Sequence, residues 1–374
     1  MENYKETIQY SYLNVAFKIF IVLFLILFVI FYFKIDIFNI RFFKSNDHKD
    51  KKYIYKDFNV NRKLINAYDK EINKDKTLSD FFIKSAFNCC LMKNGISDVV
   101  RLKTIISQGF RCLDFKLIYK NNTLHIENQS KNQTFYNALE IIDSHCFSNS
   151  FCNNSNDPVI INIRLHDQDI NSLQLSKSVY NKLQEMFRAL NSNKILDTKY
   201  SLLEKIKNPS GYNNILNATL SDLRGKIIVM CNYDYNTIEA NYLNANHDVM
   251  QYIHFNTYIL KINNNYTELV NNLSTEKTMN NLIISQRIHD NFDDNEIEKL
   301  ITNNMTYPCM IIPSDNIPVA SLFDEFGYTF RALNFANIDD FNNIIDPETK
   351  IYNDEFNIVS SAFILKPINK RLNL

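Results

Sequence analysis

Tryptophan is absent from the 374 residues, and glycine (5) and proline (7) are scarce. So few glycines leave no nucleotide-binding glycine loop, and no internal repeat is visible. An excess of charge of one sign is also lacking, since 41 basic residues meet 41 acidic ones. No global field therefore argues for nucleic acid. Metal-type cysteine patterns are missing too. The seven cysteines (89, 90, 112, 146, 152, 231 and 309) are odd in number, irregular in spacing and form no C-x-x-C. They are expected as buried free thiols in a reducing compartment. Asparagine, by contrast, is plentiful. Eight N-x-S/T sequons, at Asn121, Asn128, Asn132, Asn153, Asn217, Asn265, Asn272 and Asn304, follow from that abundance and do not argue for secretion. With 45% apolar and 22% charged residues, the chain suits a globular body with a real core, as one large domain or two small ones.

One hydrophobic run stands apart. Ile19 to Phe33 is unbroken, and Val15, Ala16 and Phe17 extend it, with Lys18 able to snorkel. That is about the length needed to cross a hydrocarbon core of roughly 30 Å. No small-residue cleavage site follows, so a retained membrane helix over 15–34 is expected after a short tail, 1–14. Lys34, Arg41, Lys44, Lys49, Lys51 and Lys52 crowd its C-terminal side against Lys5 and Lys18 before it. That asymmetry puts the body on the cytoplasmic face of a single-pass membrane protein. Residues 35–77 read as a charged tether.

The body alternates strand-like and helix-like stretches. Residues 98–108 look helical, 109–117 extended, 135–143 helical and 159–165 a short apolar strand after Pro158. Leu175, Val179, Leu183, Phe187 and Leu190 recur at helical spacing as a core-facing stripe. Lys226 to Cys231 is another buried strand. Alternation of this kind over nearly 290 residues suggests an α/β fold of parallel strands with crossover helices, arranged as a (β/α)8 TIM-type barrel. Residues 233–278 are Asn-rich and weakly periodic.

Particular residues go further than the pattern. The stretch Leu78-Ser-Asp-Phe-Phe-Ile-Lys-Ser-Ala-Phe-Asn-Cys-Cys-Leu91 resembles the opening strand of the phosphoinositide-specific phospholipase C catalytic barrel, L-S-x-Y-F-I-x-S-S-H-N-T-Y-L. Gly109-Phe-Arg-Cys-Leu-Asp114 resembles its G-x-R-C-x-E-L-D strand, and Asp157-Pro-Val-Ile-Ile-Asn-Ile-Arg-Leu-His166 its Y-P-V-I-L-S-L-E-x-H. Leu223-Arg-Gly-Lys-Ile-Ile228, Tyr307-Pro308, Ala332-Leu-Asn-Phe335 and the closing Ser360 to Arg371 follow in the family's order. The resemblance implies a barrel over 78–371, with halves 78–232 and 281–371 around a variable segment, 233–280.

It also implies cleavage of the inositol-phosphate to diacylglycerol ester by the lipid's own 2-hydroxyl. Such a step needs a base, an acid and a positive centre on the phosphoryl group. The family's first histidine falls on Phe87, which exchanges no proton. His125 takes the second histidine's place, as acid for the leaving group, or is merely a polar residue at a strand end. His166 also matches a family histidine, with a structural role expected. The calcium ligands of eukaryotic members fall on Asn88, Asp114, Lys116 and Arg164; two of them are cations, so the calcium site reads as lost and no cofactor is expected. Lys116, in D-x-K spacing, is expected to pair with Asp114 and stand in for the ion, unless it is only a salt-bridged barrel lysine. Tyr307 keeps the inositol-stacking tyrosine, whereas Met305, Met230 and Asn232 replace basic headgroup contacts. Membrane phosphatidylinositol or a related phospholipid is the expected partner. Two functions compete. One is a calcium-independent phosphatidylinositol phospholipase C-like phosphodiesterase, impaired by Phe87. The other is an inactive pseudo-phospholipase, a membrane-tethered barrel for lipid binding or protein docking.

Overall fold

The computed structural model describes residues 66–92, 94–129, 133–166, 173–190, 192–232, 248–260, 281–285, 295, 298, 301–302, 304–305, 309–311, 326–334 and 361–371. All of them belong to one compact unit, 61–374. The expected membrane segment 15–34 and Tyr307 lie outside the described residues. Among the described residues no helix is long and apolar enough to cross a membrane.

The tether expected over 35–77 ends earlier than its charge suggests. Ala67 is fully buried and its N–H donates to Asp157 Oδ1 at 2.7 Å, while the buried Asn73 side chain donates to the Ala67 carbonyl. Residues from 66 onward are thus part of the body, because an apolar Ala67 and a hydrogen-bonding Asn73 interrupt the run of charges.

Among the described residues, ten strands form one sheet. In chain order they are β1 (Phe81–Phe87), β2 (Cys112–Lys120), β3 (Thr123–Ile126), β4 (Val159–Leu165), β5 (Ile227–Cys231), β6 (Phe255–Leu260), β7 (Asn281–Ser285), β8 (Cys309–Ile311), β9 (Phe330–Asn334) and β10 (Phe363–Leu365). Parallel pairings run β2–β4–β5–β6–β7–β8–β9–β1. On its other edge β1 pairs in parallel with β2, through Ser85↔Cys112 and Ala86↔Leu113. The two antiparallel strands are additions, β3 on β2 and β10 on β1. Parallel neighbours require crossovers, and the helices α1 (Val100–Ser107), α2 (Phe135–His145), α3 (Leu173–Arg188) and α4 (Leu202–Lys207) lie in those connections. The α/β reading and most of the expected elements agree with this arrangement. The Asn-rich stretch nevertheless contributes β6, whose six residues include Asn256 and Thr257 and so carry little hydrophobic pattern.

Strand alternation sorts the side chains into two cores. Leu113, Phe115, Leu117, Ile161, Ile163 and Val229 pack outward against the helices. The α3 stripe meets them, with Val179, Leu183 and Phe187 fully buried as the helical spacing predicts. Phe81, Ile83, Cys112, Ile160, Ile228 and Phe330 point the other way and fill the interior. Cys89, Cys90, Cys112, Cys146, Cys152 and Cys231 are buried free thiols. Burial pushes the Cys146 thiol up to about 12.

Candidate active site

Among the described residues, Asp114 of β2 and Asn162 and Arg164 of β4 are buried polar side chains on the inward face, beyond the apolar layer of Cys112 and Ile160. β1 is buried throughout and ends at Phe87. Asn88 then turns the chain with φ 46°, a left-handed conformation that asparagine tolerates. The turn aims the Asn88 N–H at Asp114 Oδ2, 2.9 Å away.

Asp114 is fully buried on β2 and its carboxylate is saturated. Oδ1 accepts from Asn162 Nδ2 at 2.8 Å and from Arg164 Nε at 2.9 Å. Oδ2 accepts from Arg164 Nη2 at 2.7 Å as well as from Asn88. Ladder register explains the set: Asp114 lies opposite Asn162, and Lys116 opposite Arg164. Arg164 therefore reaches one pleat back along β2 and makes a two-pronged ion pair, the geometry in which a guanidinium fits a carboxylate best. Its Nη2 also donates to Asn88 Oδ1. The Phe87 ring lies 4.5 Å from the guanidinium carbon. Phe87 thus supplies an aromatic face to the cation.

Lys116 does not pair with Asp114, contrary to the expectation from spacing. Its Nζ binds Glu127 Oε1 at 2.7 Å. β3 causes this, because the Glu127 N–H donates to the Lys116 carbonyl and sets the two side chains side by side on one face. Arg164 holds the place beside Asp114 that the D-x-K spacing offered to the lysine.

His125 lies on β3 opposite Ile118, about 13 Å farther out along β2 than Asp114 if each residue advances about 3.3 Å. It is 6% exposed. Its Nδ1 is 2.6 Å from Gln129 Nε2, and its Nε2 is buried without a partner. Strand pairing puts His125 on the same face as Lys116 and Glu127, but neither ring nitrogen opens to solvent. The His166 N–H donates to the Leu117 carbonyl at 3.2 Å, as the strand continues past β4.

Headgroup positions read as eroded have other duties. Met230 is buried in the inner core. Asn232 clamps the Leu165 peptide, accepting from its N–H at 2.6 Å and donating to its carbonyl at 2.9 Å. A small cleft beside the ion pair is lined by Asn88, Cys90, Leu91, Ser97, Lys116 and Glu127. Spacing along the chain did not reveal Asn162, Glu127 or Gln129. For Asn162 a signal exists, since it is a lone amide inside the apolar run VIINIRL.

A divalent cation does not fit this donor set. Asp114 already accepts four hydrogen bonds, and the Arg164 guanidinium lies where an ion on that carboxylate would bind. Hard cations need several oxygen ligands, and Lys116 and Arg164 supply none. Among the described residues no group of three His, Cys, Asp or Glu gathers around a common point.

Residues 74–232 match the family model described as "Phosphatidylinositol-specific phospholipase C, X domain". Among solved structures, the chain is similar to PLC21 of L. pealei (17% identity, TM-score 0.47, covering 80% of this chain and 39% of that one). It is similar to PLC21 of S. officinalis (17%, TM-score 0.48, 81% and 38%). A calcium-dependent phosphoinositol-specific phospholipase C from a Gram-negative bacterium, Pseudomonas sp., is also similar (10%, TM-score 0.47, 73% and 95%). The chain spans about two fifths of the length of the two PLC21 chains. No curated protein sequence matches it. Residues 74–232, which carry the Phe87, Asp114 and Arg164 cluster, are thus similar to the X domain of phosphatidylinositol-specific phospholipase C.

Proposed function

We propose that the chain is a calcium-independent, membrane-tethered phosphatidylinositol phospholipase C-type barrel that holds an inositol phospholipid by its phosphate and cleaves it poorly. One observation carries the reading: the Arg164–Asp114 pair, faced by Phe87, occupies the site where the resemblance calls for a calcium ion and a histidine. A guanidinium supplies positive charge to a phosphoryl group without a metal. Loss of one general acid–base group lowers the rate by about 10²–10⁴-fold. The pairing of β1 with both β2 and β9 supports a closed (β/α)8 TIM-type cylinder, whose mouth gathers Asn88, Asp114, Lys116 and Arg164. The apolar run at 15–34 supports tethering to a membrane with the barrel on the cytoplasmic side, which raises the local lipid concentration. Tyr307 is the stacking residue for the inositol ring in this reading.

His125 favours the second reading, an inactive lipid-binding barrel, because Nδ1 is engaged by Gln129 and Nε2 is sealed. The full chain in mixed micelles with phosphatidylinositol, first in EDTA and then with Ca²⁺, separates the two by the release of cyclic inositol phosphate. Slow turnover in EDTA that His125→Ala abolishes is the expected result for the impaired enzyme. Lipid binding without turnover selects the inactive barrel. Turnover that appears only with Ca²⁺ overturns both.

A further inference from the structure

Arg111, the residue before β2, is fully buried. Its Nη2 lies 3.0 Å from the Cys146 carbonyl, 2.7 Å from the Asn154 carbonyl, 2.9 Å from Asn154 Oδ1 and 3.0 Å from Cys152 Sγ. The Cys146 thiol is hydrogen-bonded to the same guanidinium. Nε and Nη1 are sealed from solvent and meet no acceptor. The carboxylate facing this group, Asp157, stands one amide away: Asn154 Nδ2 donates to its Oδ2 at 3.3 Å, and its Oδ1 accepts the Ala67 N–H. A buried cation among neutral acceptors is poorly compensated. Sulfur chemistry that develops negative charge at Cys152 would supply what the site lacks. The cover over that sulfur is also thin. Cys152 lies in the connection from α2 to β4, between Phe151, which is 53% exposed, and the exposed Asn153. Opening one surface turn, closed by the Cys152 N–H on the Ser148 carbonyl at 2.9 Å, is enough to reach it. Cys112 and Cys231, by contrast, sit inside β2 and β5 with no exposure.

We infer that Cys152 and Cys146 form a dithiol that reacts with hydroperoxides, with Arg111 supporting negative charge on the reacting sulfur. The inference does not depend on the lipid reading above. In the first step Cys152 sulfur attacks one oxygen of hydrogen peroxide. An S–O bond forms, the O–O bond breaks, and the departing hydroxide leaves as water with the thiol's proton. Cys152 is then a sulfenic acid. In the second step Cys146 sulfur displaces that hydroxyl, which leaves as a second water with the Cys146 proton, and a disulfide remains. Two thiols lose two electrons and one peroxide gains them. Burial holds Cys146 as the neutral thiol, with its pKa up to about 12, so the first attack belongs to Cys152. Both thiols touch one guanidinium, so closing the S–S bond asks for movement within the 146–152 turn. It also has a structural consequence. Cys152 Sγ gives up its hydrogen bonds to Asn154 Oδ1, at 2.6 Å, and to the Ile106 carbonyl of α1, at 3.2 Å.

The test treats the full chain in detergent micelles with stoichiometric hydrogen peroxide, quenches by alkylation at intervals and maps peptides by mass spectrometry. The tryptic peptide 133–164 holds Cys146, Cys152 and no other cysteine. It is expected to lose two hydrogens and to resist alkylation until reduced. With dimedone present, Cys146→Ser is expected to carry the label on Cys152, and Cys152→Ser to leave Cys146 unoxidised. Within wild-type molecules, Cys152 is expected to react on the order of tenfold faster than Cys112 and Cys231. Arg111→Lys is expected to slow the Cys152 step, and an unchanged rate overturns the part given to Arg111. Should that variant not fold, the wild-type order of oxidation carries the test. Cys152 reacting no faster than Cys112 or Cys231 means that peroxide reaches thiols through global unfolding, and overturns the inference. So does dimedone labelling of Cys146 in Cys152→Ser, which places the first step on the wrong sulfur. Amide hydrogen exchange gives a separate reading. After peroxide, residues 106–108 and 148–154 are expected to exchange faster than before, and unchanged exchange there in protein shown to carry the disulfide removes the consequence for α1.

Discussion

Asp114 and Arg164 stand 50 positions apart, and nothing in their local sequence joins them. The residues of the cluster could be singled out in the sequence, because Phe87, Asn88, Asp114, Lys116 and Arg164 lie in the motifs that carry the resemblance. Their partners could not. Spacing offers Asp114 a cation two residues away on its own strand, whereas the pleat points both side chains the same way and leaves each to seek partners across the ladder. Register then decides, giving Arg164 to Asp114 and Glu127 to Lys116. A buried pair of this kind is costly to break from one side, since a charge is left without compensation. Either Asp114→Leu or Arg164→Met is expected to cost about 3–5 kcal/mol in urea unfolding. The double substitution is expected to recover most of that loss, because an apolar pair of similar volume replaces two desolvated charges. Additive losses would mean that the two side chains do not act as a pair.

At the scale of elements, the β2–β3 hairpin decides where His125 and Glu127 stand. Its two-residue turn is Asn121-Asn122, with φ 52° and 59°, matching the type I′ hairpin that suits the strand twist. The sequence shows the asparagines but hides their meaning in a chain where asparagine is everywhere. Only the pairing Lys120↔Thr123 exposes the turn. Asn121→Gly keeps the left-handed conformation at no steric cost and is expected to leave stability within a few tenths of a kcal/mol. Asn121→Val forces a β-branched residue into that conformation and is expected to cost about 1–2 kcal/mol. Amide hydrogen exchange at residues 117–126 reads the local effect. Exchange that speeds up elsewhere but not in the hairpin would refute this account of the register.

For the molecule as a whole, alternation of strand and helix was visible up to β5, where runs such as VIINIRL and KIIVMC are apolar enough to be buried on both faces. Beyond it the strands are three to six residues long and sit among polar stretches, so periodicity has too few residues to speak. One contact that the sequence does not advertise links these two parts of the sheet. His254, one residue before β6, is fully enclosed; its Nδ1 accepts from the Val229 N–H of β5 at 3.1 Å, and its Nε2 lies 3.3 Å from the Leu196 carbonyl. Burial lowers its pKa from 6.5 to about 4, outweighing the upward pull of the bond to the Leu196 carbonyl. The unfolded chain therefore takes up a proton before the folded one does as acid is added. The stability His254 confers is complete above about pH 6.5 and drains away as the pH falls toward 4, by up to about 3 kcal/mol. His254→Gln cannot charge, so the stability difference between wild type and variant, measured by urea unfolding at several pH values, is expected to shrink steadily between pH 6.5 and 4. A difference that stays constant across that window would mean that His254 is not held neutral, and that the join between β5 and β6 does not depend on its uncharged ring.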